Sequence, residues 1–196
     1  MSNNQNANLN DKLYKVRPVL NGIVRNWKKY YVLHQKLCID ERMIKFRGRS
    51  DFLQYVPTKP MKWGFKAFIL ADAITAYTYN LIVYTGSQGT RTRNLANNVI
   101  LELAEGLTDL GHQIFFDSYY CSVPIVEYLS TRGTGCTGVI RKNRKFIPDA
   151  IKNPPASLQA GETLLKKKAS LMCFIYKGKK DVRFLTNVWQ KTWNRK

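Results

Sequence analysis

The apolar residues of the first part of the chain are spaced for one helix and then for strands. Between positions 11 and 34 they recur three and four residues apart, the period of one helix face; they are Leu13, Val16, Leu20, Ile23, Val24 and Trp27. Pro18 would either kink this helix or mark its start. From 37 to 47 apolar and charged residues nearly alternate, which predicts a strand. The segments 65–71 and 76–84 predict a hairpin that turns at 72–75.

The clearest helix of the chain is predicted over 94–110. Asn94 is placed to cap its start and Gly111 to follow its end. Its apolar stripe consists of Leu95, Val99, Leu103, Leu107 and Leu110. The short apolar run 113–117 comes next and predicts a buried central strand.

The pattern after this strand continues as helix and strand. Ser122 and Pro124 begin a helix that ends before Gly133, and 138–140 predicts another strand. Two later strands are predicted at 171–176 and 182–185. The three leading strands are able to pair as an antiparallel meander, and helix–strand units follow them. This order predicts a mixed α/β sheet and makes a doubly wound parallel sheet less favourable.

Loops and weakly patterned segments separate these elements. Polar or proline-containing loops are predicted at 54–63 and 86–93. Beyond Pro148 the periodicity weakens, and a run of three lysines occupies 166–168. The first ten residues are polar and predict a solvated tail without the apolar core of a signal peptide.

The charge of the chain narrows the class of partner. Its 196 residues include 32 Lys and Arg against 13 Asp and Glu, for a net charge of +19. On one small domain this excess favours a polyanionic partner, most often nucleic acid. Ribosome surfaces, heparin-like chains and acidic membranes attract the same charge. A membrane span is disfavoured because Lys66, Asp72 and Asn80 interrupt the longest apolar stretch, 65–84.

The cysteines do not predict a metal site. Cys38, Cys121, Cys136 and Cys173 stand far apart and form no C-x-x-C pair, which disfavours a zinc ribbon or finger. Reduced thiols of an intracellular protein are the expected state.

Two aspartates on separate strands are candidates for metal-dependent chemistry. Asp40 lies within the first strand, although Asp is depleted in strands, and Asp117 directly follows the central apolar run. In open α/β sheets ligands gather at the carboxyl ends of strands. Carboxylates at adjacent strands suit Mg²⁺ ions, and a two-metal site about 4 Å across would cleave or transfer phosphodiesters.

Each of these residues also has a plainer interpretation. An aspartate near a strand end is usually a turn or cap residue. Glu41 points to the opposite strand face from Asp40, which favours an outward salt bridge. The basic cluster 141–145 is either a solvated turn, an import signal or a phosphate contact. Tyr119 and Tyr120 either stack on a base or sugar or simply pack.

Several motifs together resemble one known family. From about 12 to 186 the chain resembles the transposase domain of the piggyBac family, beginning with the helical segment 11–18. The motifs that carry the resemblance are I-D-E-R-M with F-R-G-R at 39–49, Y-x-P-x-K-P-x-K-W-G-x-K at 55–66, Y-T-G at 84–86, F-D-S-Y-Y-x-S-V-P at 116–124, and G-V-I-R-K-N-R at 138–144, followed by Pro148. Arg42 and Ser118 depart from the family, which more often has a small polar residue and Asn there.

The resemblance implies an RNase H-like catalytic core that cleaves and transfers DNA strands with Mg²⁺ or Mn²⁺ held by three aspartates. Asp40 and Asp117 match two of them and are the expected catalytic and metal-binding residues. No residue of this chain matches the third, and Asp181 matches a position in an inserted β-rich segment instead. The expected organisation is a tail at 1–10, the core at 11–150 and the start of that insertion at 151–196, with the fold incomplete at its C-terminus.

The resemblance also implies a partner and a location. DNA, as transposon ends or chromatin, is the expected partner, in the nucleus, with a homodimer left open and no membrane or small-molecule substrate. The residues expected to position DNA phosphates are Arg47, Arg49, Lys59, Lys62, Lys66, Arg141, Lys142, Arg144 and Lys145. With two of three aspartates, little or no transposition by this chain alone is expected. The alternatives are a non-catalytic DNA- or chromatin-binding protein and, from another class, a basic scaffold for acidic partners or membranes.

Overall fold

A computed structural model describes residues 11–86 and 94–188. The helices in these ranges are α1 (Arg17–Tyr30), α2 (Leu95–Leu103), α3 (Val123–Thr131) and α4 (Asp149–Lys152). The strands are β1 (Lys36–Lys45), β2 (Gln54–Tyr55), β3 (Trp63–Asp72), β4 (Thr78–Val83), β5 (Gln113–Phe116), β6 (Gly135–Val139), β7 (Thr163–Lys168), β8 (Leu171–Tyr176) and β9 (Val182–Thr186).

The strands form one mixed sheet. Its order is β2-β3-β1-β5-β6-β9-β8-β7, with β4 also paired to β3. The pairs β1–β5 and β5–β6 are parallel, and the remaining pairs are antiparallel. The mixed α/β sheet predicted from the strand pattern is therefore confirmed, including the meander of β1, β3 and β4.

The alternation of side chains along β1 and β5 separates a covered face from an open one. Leu37 and Ile39 of β1 and Ile114 and Phe116 of β5 are buried in the main core. Helices α2 and α3 supply the opposing side of this core through Val99, Ile100, Leu103, Val126 and Leu129. Positions of opposite parity, including 38 and 40 on β1, point to the other face.

The first helix begins where its proline lies. Helix α1 starts at Arg17 with Pro18 in its first turn, so Pro18 marks the start of the helix and does not kink it. Proline suits the first turn because the N–H that it lacks has no partner within the helix there. The residues before it form turns, in which Asp11 accepts two hydrogen bonds from the Arg17 guanidinium, each 2.8 Å long.

Helix α2 is shorter than the predicted 94–110 helix. It ends at Leu103, and Gly106 and Gly111 in the following turns both have positive φ. A glycine with a left-handed backbone interrupts the right-handed helix. Leu107 is nevertheless buried in the core from the turn, so the apolar spacing of the sequence continues past the end of the helix. Leu110 is instead exposed, and Asn94 has a left-handed backbone and makes no side-chain cap.

The segments beyond Pro148 are more ordered than their weak periodicity indicated. The lysine run belongs to β7, which pairs with β8 along its whole length, and α4 follows Pro148 directly. The other later strands were predicted within a residue or two. The sequence signal failed for β7 because an exposed edge strand needs little apolar alternation.

Three further sequence expectations concern the cysteines, membrane-spanning helices and the polar segments of the chain. None of the four cysteines forms a disulfide, and burial raises the pKa of the Cys121 thiol to about 12 and that of Cys173 to about 11. None of the helices in the described ranges is long and apolar enough to cross a bilayer. The polar tail at 1–10 and most of the predicted loop at 86–93 lie outside the described residues.

Candidate active site

Asp40 and Asp117 lie on the same face of the sheet, at neighbouring parallel strands. Cys38 pairs with Phe115 and Ile39 with Phe116, so the two aspartates follow one position after the last paired residues. Adjacent strands are about 4.8 Å apart, and residues in register on parallel strands point the same way. Both aspartates are exposed, whereas the sequence suggested the buried end of a central strand. The pairing of β1 with β5 thus brings together two residues separated by more than seventy positions in the sequence.

One oxygen of each aspartate accepts a hydrogen bond from a backbone N–H. The Glu41 N–H donates to Asp40 Oδ1 at 2.8 Å, and the Tyr119 N–H donates to Asp117 Oδ1 at 2.8 Å. The Asp117 contact is the turn that the plainer interpretation predicted. Within the described part of the chain, the second oxygen of Asp117 accepts no hydrogen bond, whereas the Asp40 carboxyl also hydrogen-bonds the neighbouring Glu41 carboxyl. Asp117 therefore has an oxygen open to a ligand, and Asp40 would exchange its contact with Glu41 for one.

Glu41 lies in a different setting from Asp40. It is on the covered side, where its carboxylate is 3.5 Å from Lys59 Nζ and accepts a 3.4 Å hydrogen bond from the Tyr120 hydroxyl. Its side chain is only 20% exposed, so the predicted outward salt bridge is an inward one. The burial follows from the position of Glu41 opposite Phe68 on β3, beside the buried ring of Tyr120.

The pKa values of these two neighbouring carboxyls move in opposite directions. Partial desolvation raises the pKa of Asp40 above its ordinary value, and the Glu41 N–H and Lys59 offset only part of that effect. Desolvation also acts on Glu41, but Lys59 and Lys66 outweigh it and hold the pKa of Glu41 below its ordinary value. Glu41 is therefore the more firmly ionised member of the pair.

The two tyrosines after Asp117 differ in burial. Tyr120 is fully buried and packs edge-on against Phe68, with 6.3 Å between ring centroids, so it is a core residue. Burial raises the pKa of its hydroxyl far above the ordinary value, which keeps it a hydrogen-bond donor to Glu41. Tyr119 is half-buried under Lys66, whose Nζ is 5.3 Å from its ring centroid. The link from Glu41 through Tyr120 was missed in the sequence because no local pattern records it.

The basic cluster 141–145 packs on the loop that carries Asp117. Arg141 Nε donates to Ser118 Oγ at 3.2 Å, and Arg144 donates to the carbonyls of Ser118 and Tyr119 at 3.2 and 2.7 Å. Lys142 and Lys145 are exposed beside them. The remaining predicted phosphate contacts divide between two places: Lys59 and Lys66 flank Glu41, while Arg47, Arg49 and Lys62 are exposed at the other end of β1 and β3.

A pocket of about 610 Å³ lies between this cluster and two helix starts. Its wall includes Arg141, Arg144 and Lys145 together with the first residues of α2 and α3, and neither helix has a side-chain cap from the described residues. Uncapped helix starts present free N–H groups and positive potential. The Ser122 hydroxyl and Arg144 Nε are buried there without a hydrogen-bond partner among the described residues. These features suit an anionic group such as a phosphate.

The donor set for a divalent ion is partial. Carboxylate oxygens are the ligands that Mg²⁺ and Mn²⁺ prefer, and Asp40 and Asp117 provide two of them. Within residues 11–86 and 94–188, no three His, Cys, Asp or Glu side chains form a group that could hold a metal ion. Asp181 is engaged elsewhere, with Lys177 at 3.4 Å and Arg183 at 3.8 Å.

Comparisons with known proteins agree with this fold. Residues 1–194 match the family model described as Transposase IS4. The chain is 26% identical over 152 residues to human PiggyBac transposable element-derived protein 2, covering 73% of this chain. It is 25% identical over 185 residues to human PiggyBac transposable element-derived protein 3, covering 90% of this chain.

A solved structure is similar over nearly the whole chain. A piggyBac transposase in a synaptic complex with hairpin DNA, determined by cryo-EM, superposes with a TM-score of 0.85 at 27% identity. The match covers 95% of this chain and 40% of that one. The architecture is therefore that of an RNase H-like catalytic domain of a transposase. The chain belongs to the piggyBac family of transposases. It spans only 25% and 30% of the lengths of the two human relatives.

Proposed function

We propose that this transposase domain binds DNA and that Asp40 and Asp117 ligate Mg²⁺ or Mn²⁺ next to a bound phosphodiester. The observation that carries the proposal is the shared face of the two aspartates at parallel strands, where both carboxylates are exposed and each is oriented by a backbone N–H. When bound, the metal would polarise the phosphodiester and lower the pKa of a coordinated water or hydroxyl. The protein's part is to orient both carboxylates through the backbone N–H groups of Glu41 and Tyr119.

The same geometry predicts weak activity from this chain alone. Two carboxylates neutralise only half of the charge that two divalent ions carry, so a second ion should bind poorly. We therefore expect the chain to hold one ion loosely and to perform little or no strand transfer without further protein ligands. A non-catalytic DNA-binding role is the second candidate, favoured by the lack of a three-ligand group among the described residues.

DNA binding rests on charge and on the pocket beside Asp117. The chain carries a net charge of +19, and Arg141, Arg144 and Lys145 line a pocket at two uncapped helix starts. Such groups hold phosphates in register, while the exposed Lys142, Arg47 and Arg49 extend the positive surface. The related piggyBac transposase was solved with hairpin DNA, which supports the same class of partner here. Location in the nucleus and a homodimer remain predictions of the family resemblance.

Titration calorimetry with Mn²⁺ and Mg²⁺ tests the metal site. We expect Asp117→Asn to abolish most of the binding heat of the full chain. The control is Asp149→Asn, because Asp149 is the most exposed of the ion-paired carboxylates and lies away from the site on α4. Equal binding by wild type and Asp117→Asn would exclude the metal role. DNA affinity that depends on salt but does not change when Mg²⁺ or Mn²⁺ is added would then favour the non-catalytic candidate.

A further inference from the structure

A second cleft, distant from the aspartates, combines exposed aromatic rings with cations. It lies where β1 ends and β3 begins and has a volume of about 820 Å³, within the range of small-ligand sites. Trp63, Phe46 and Met61 line it, and Trp63 is 56% exposed. Tyr55 extends this aromatic wall, since it pairs with Trp63 across β2 and β3 and its ring centroid is 4.8 Å away. A contiguous exposed patch of rings is a common mark of an interaction site.

The positive charge of the cleft favours an anionic ligand. Lys45, Arg47 and Lys62 are part of its lining, which contains no Asp or Glu among the described residues. None of these three cations forms an ion pair within the described part of the chain. An apolar protein partner would have to bury these cations without compensation, whereas an anionic ligand with flat rings satisfies both features. Aromatic rings interleaved with cations are the usual arrangement for unpaired nucleic-acid strands.

The cleft opens on the same sheet face as Asp40. Phe65 pairs with Ile44, and its ring stacks on Phe46 with 4.6 Å between centroids, so these residues share one face. Asp40 has the same parity on β1 and lies six residues before Phe46, or roughly 20 Å at about 3.4 Å per residue. A strand bound across this face would therefore reach the cleft roughly 20 Å from the aspartates.

We propose that this cleft is a stacking site for an unpaired nucleobase, with Trp63 as the ring under the base and Lys62 and Arg47 as contacts to the flanking phosphates. The inference rests on the proposed DNA binding and adds the strand state that is recognised. Duplex DNA, whose bases are already stacked, would contact only the cations.

Fluorescence anisotropy with three labelled probes tests the inference on the full 196-residue chain. The probes are oligo(dT), an abasic strand of the same length and a duplex of the same length. Trp63→Leu should weaken oligo(dT) binding about fivefold or more, the loss expected for one stacked base. Its affinity for duplex and for the abasic strand should stay within about twofold of wild type, since neither offers a base to stack.

Further variants distinguish the effect of losing the Trp63 ring from effects on folding and on charge. Trp63→Phe keeps a ring and should retain oligo(dT) binding, while Tyr128→Leu, at an exposed tyrosine on α3, should change nothing. Lys62→Gln should lower the slope of log affinity against log salt by about 0.7, and Trp63→Leu should leave that slope unchanged.

Three results would overturn the inference. The first is that wild type binds duplex DNA while Trp63→Leu leaves the affinity for oligo(dT) unaltered. This result would rule out base stacking in the cleft and leave the proposed DNA binding intact. The second is equal weakening of all probes by Trp63→Leu. The third is self-association that Trp63→Leu abolishes in sedimentation, because the occupant would then be a second copy. Failure of wild type to bind any of the probes would instead remove the proposed function and the cleft's role together.

Discussion

Asp40 and Glu41 are adjacent in sequence, but the sheet presents them to two different environments. Asp40 is exposed on the open face, where its carboxyl contacts the Glu41 N–H and the Glu41 carboxyl. Glu41 is on the covered side, where Lys59 and the Tyr120 hydroxyl occupy its carboxylate. The difference shows that one acidic motif contains two settings: the Glu41 charge is neutralised by protein groups and stabilises the fold, while the exposed Asp40 carboxylate is the one that we propose as a metal ligand.

Asp72 extends the comparison to full burial. Its carboxylate is 0% exposed and accepts hydrogen bonds from the N–H groups of His34, Ile74 and Thr75 and shares one with the His34 ring, at 2.8 to 3.1 Å. Desolvation alone would raise the pKa of Asp72, but these hydrogen bonds hold it well below its ordinary value. Burial thus decreases from Asp72 through Glu41 to Asp40, and the number of protein partners decreases with it.

The largest expected effect concerns the ring that anchors the covered side. Tyr120→Ala should destabilise the chain by about 3–5 kcal/mol, because it leaves a cavity in the core and an unpaired Glu41. Asp117→Ala, three residues away on the open face, should cost much less. Urea unfolding monitored by circular dichroism measures both. Similar losses for the two variants would contradict the division into a covered and an open face.

The buried carboxylate should control acid stability. Because the folded pKa of Asp72 is depressed, its contribution is present above the unfolded pKa of about 3.9 and is lost as the pH falls through the lower folded value. Asp72→Asn should therefore cost about 1.5 kcal/mol near neutral pH, the low end for charged hydrogen bonds since the His34 side chain is half exposed. The variant and wild type should converge as the pH falls below about 3.

Unfolding free energies measured across this pH range check the sign. Asp109→Asn serves as the matched control, because Asp109 also accepts a side-chain hydrogen bond, from Arg132, but is half exposed. A deficit of Asp72→Asn that grows at low pH would show that the assigned hydrogen bonds do not stabilise the ionised form.

Metal affinity should distinguish the two neighbours on β1. Asp40→Asn should weaken Mn²⁺ binding at least about tenfold, the lower limit seen even for residues that act through a ligand. Glu41→Gln should weaken it less, since Glu41 acts only by fixing β1 against the loop after Asp117. Calorimetry at one pH measures both. The assignment fails if Glu41→Gln removes binding and Asp40→Asn does not.

The smallest effect is expected for the Glu41 contacts themselves. Glu41→Gln keeps the shape and one hydrogen bond to Tyr120 but removes the charge opposite Lys59, and should cost about 1 kcal/mol. Tyr120→Phe removes that hydrogen bond altogether. A double-mutant cycle of the two should show a coupling energy, and additivity would mean that the charge of Glu41 adds nothing to the 3.4 Å contact.

Local pattern was sufficient for the elements whose residues alternate or repeat. The strand at 37–47, the hairpin, the central strand and the helix at Val123–Thr131 all appear within a few residues of their predicted places. It failed where a single backbone conformation overruled the pattern, as at Gly106 after α2. It also failed for β7, whose lysines gain their strand conformation from pairing with β8.

The motifs of the chain contained the two acidic positions and the basic residues, because residue type and spacing are written in the sequence. Only the tertiary structure decided how they relate. Parallel pairing of β1 with β5 placed Asp40 beside Asp117, and the coverage of one face turned Glu41 toward Lys59 and Tyr120. Contacts between positions far apart in sequence arise from the closure of the whole sheet. For that reason neither the open carboxylate pair nor the aromatic cleft at Trp63 follows from any local pattern.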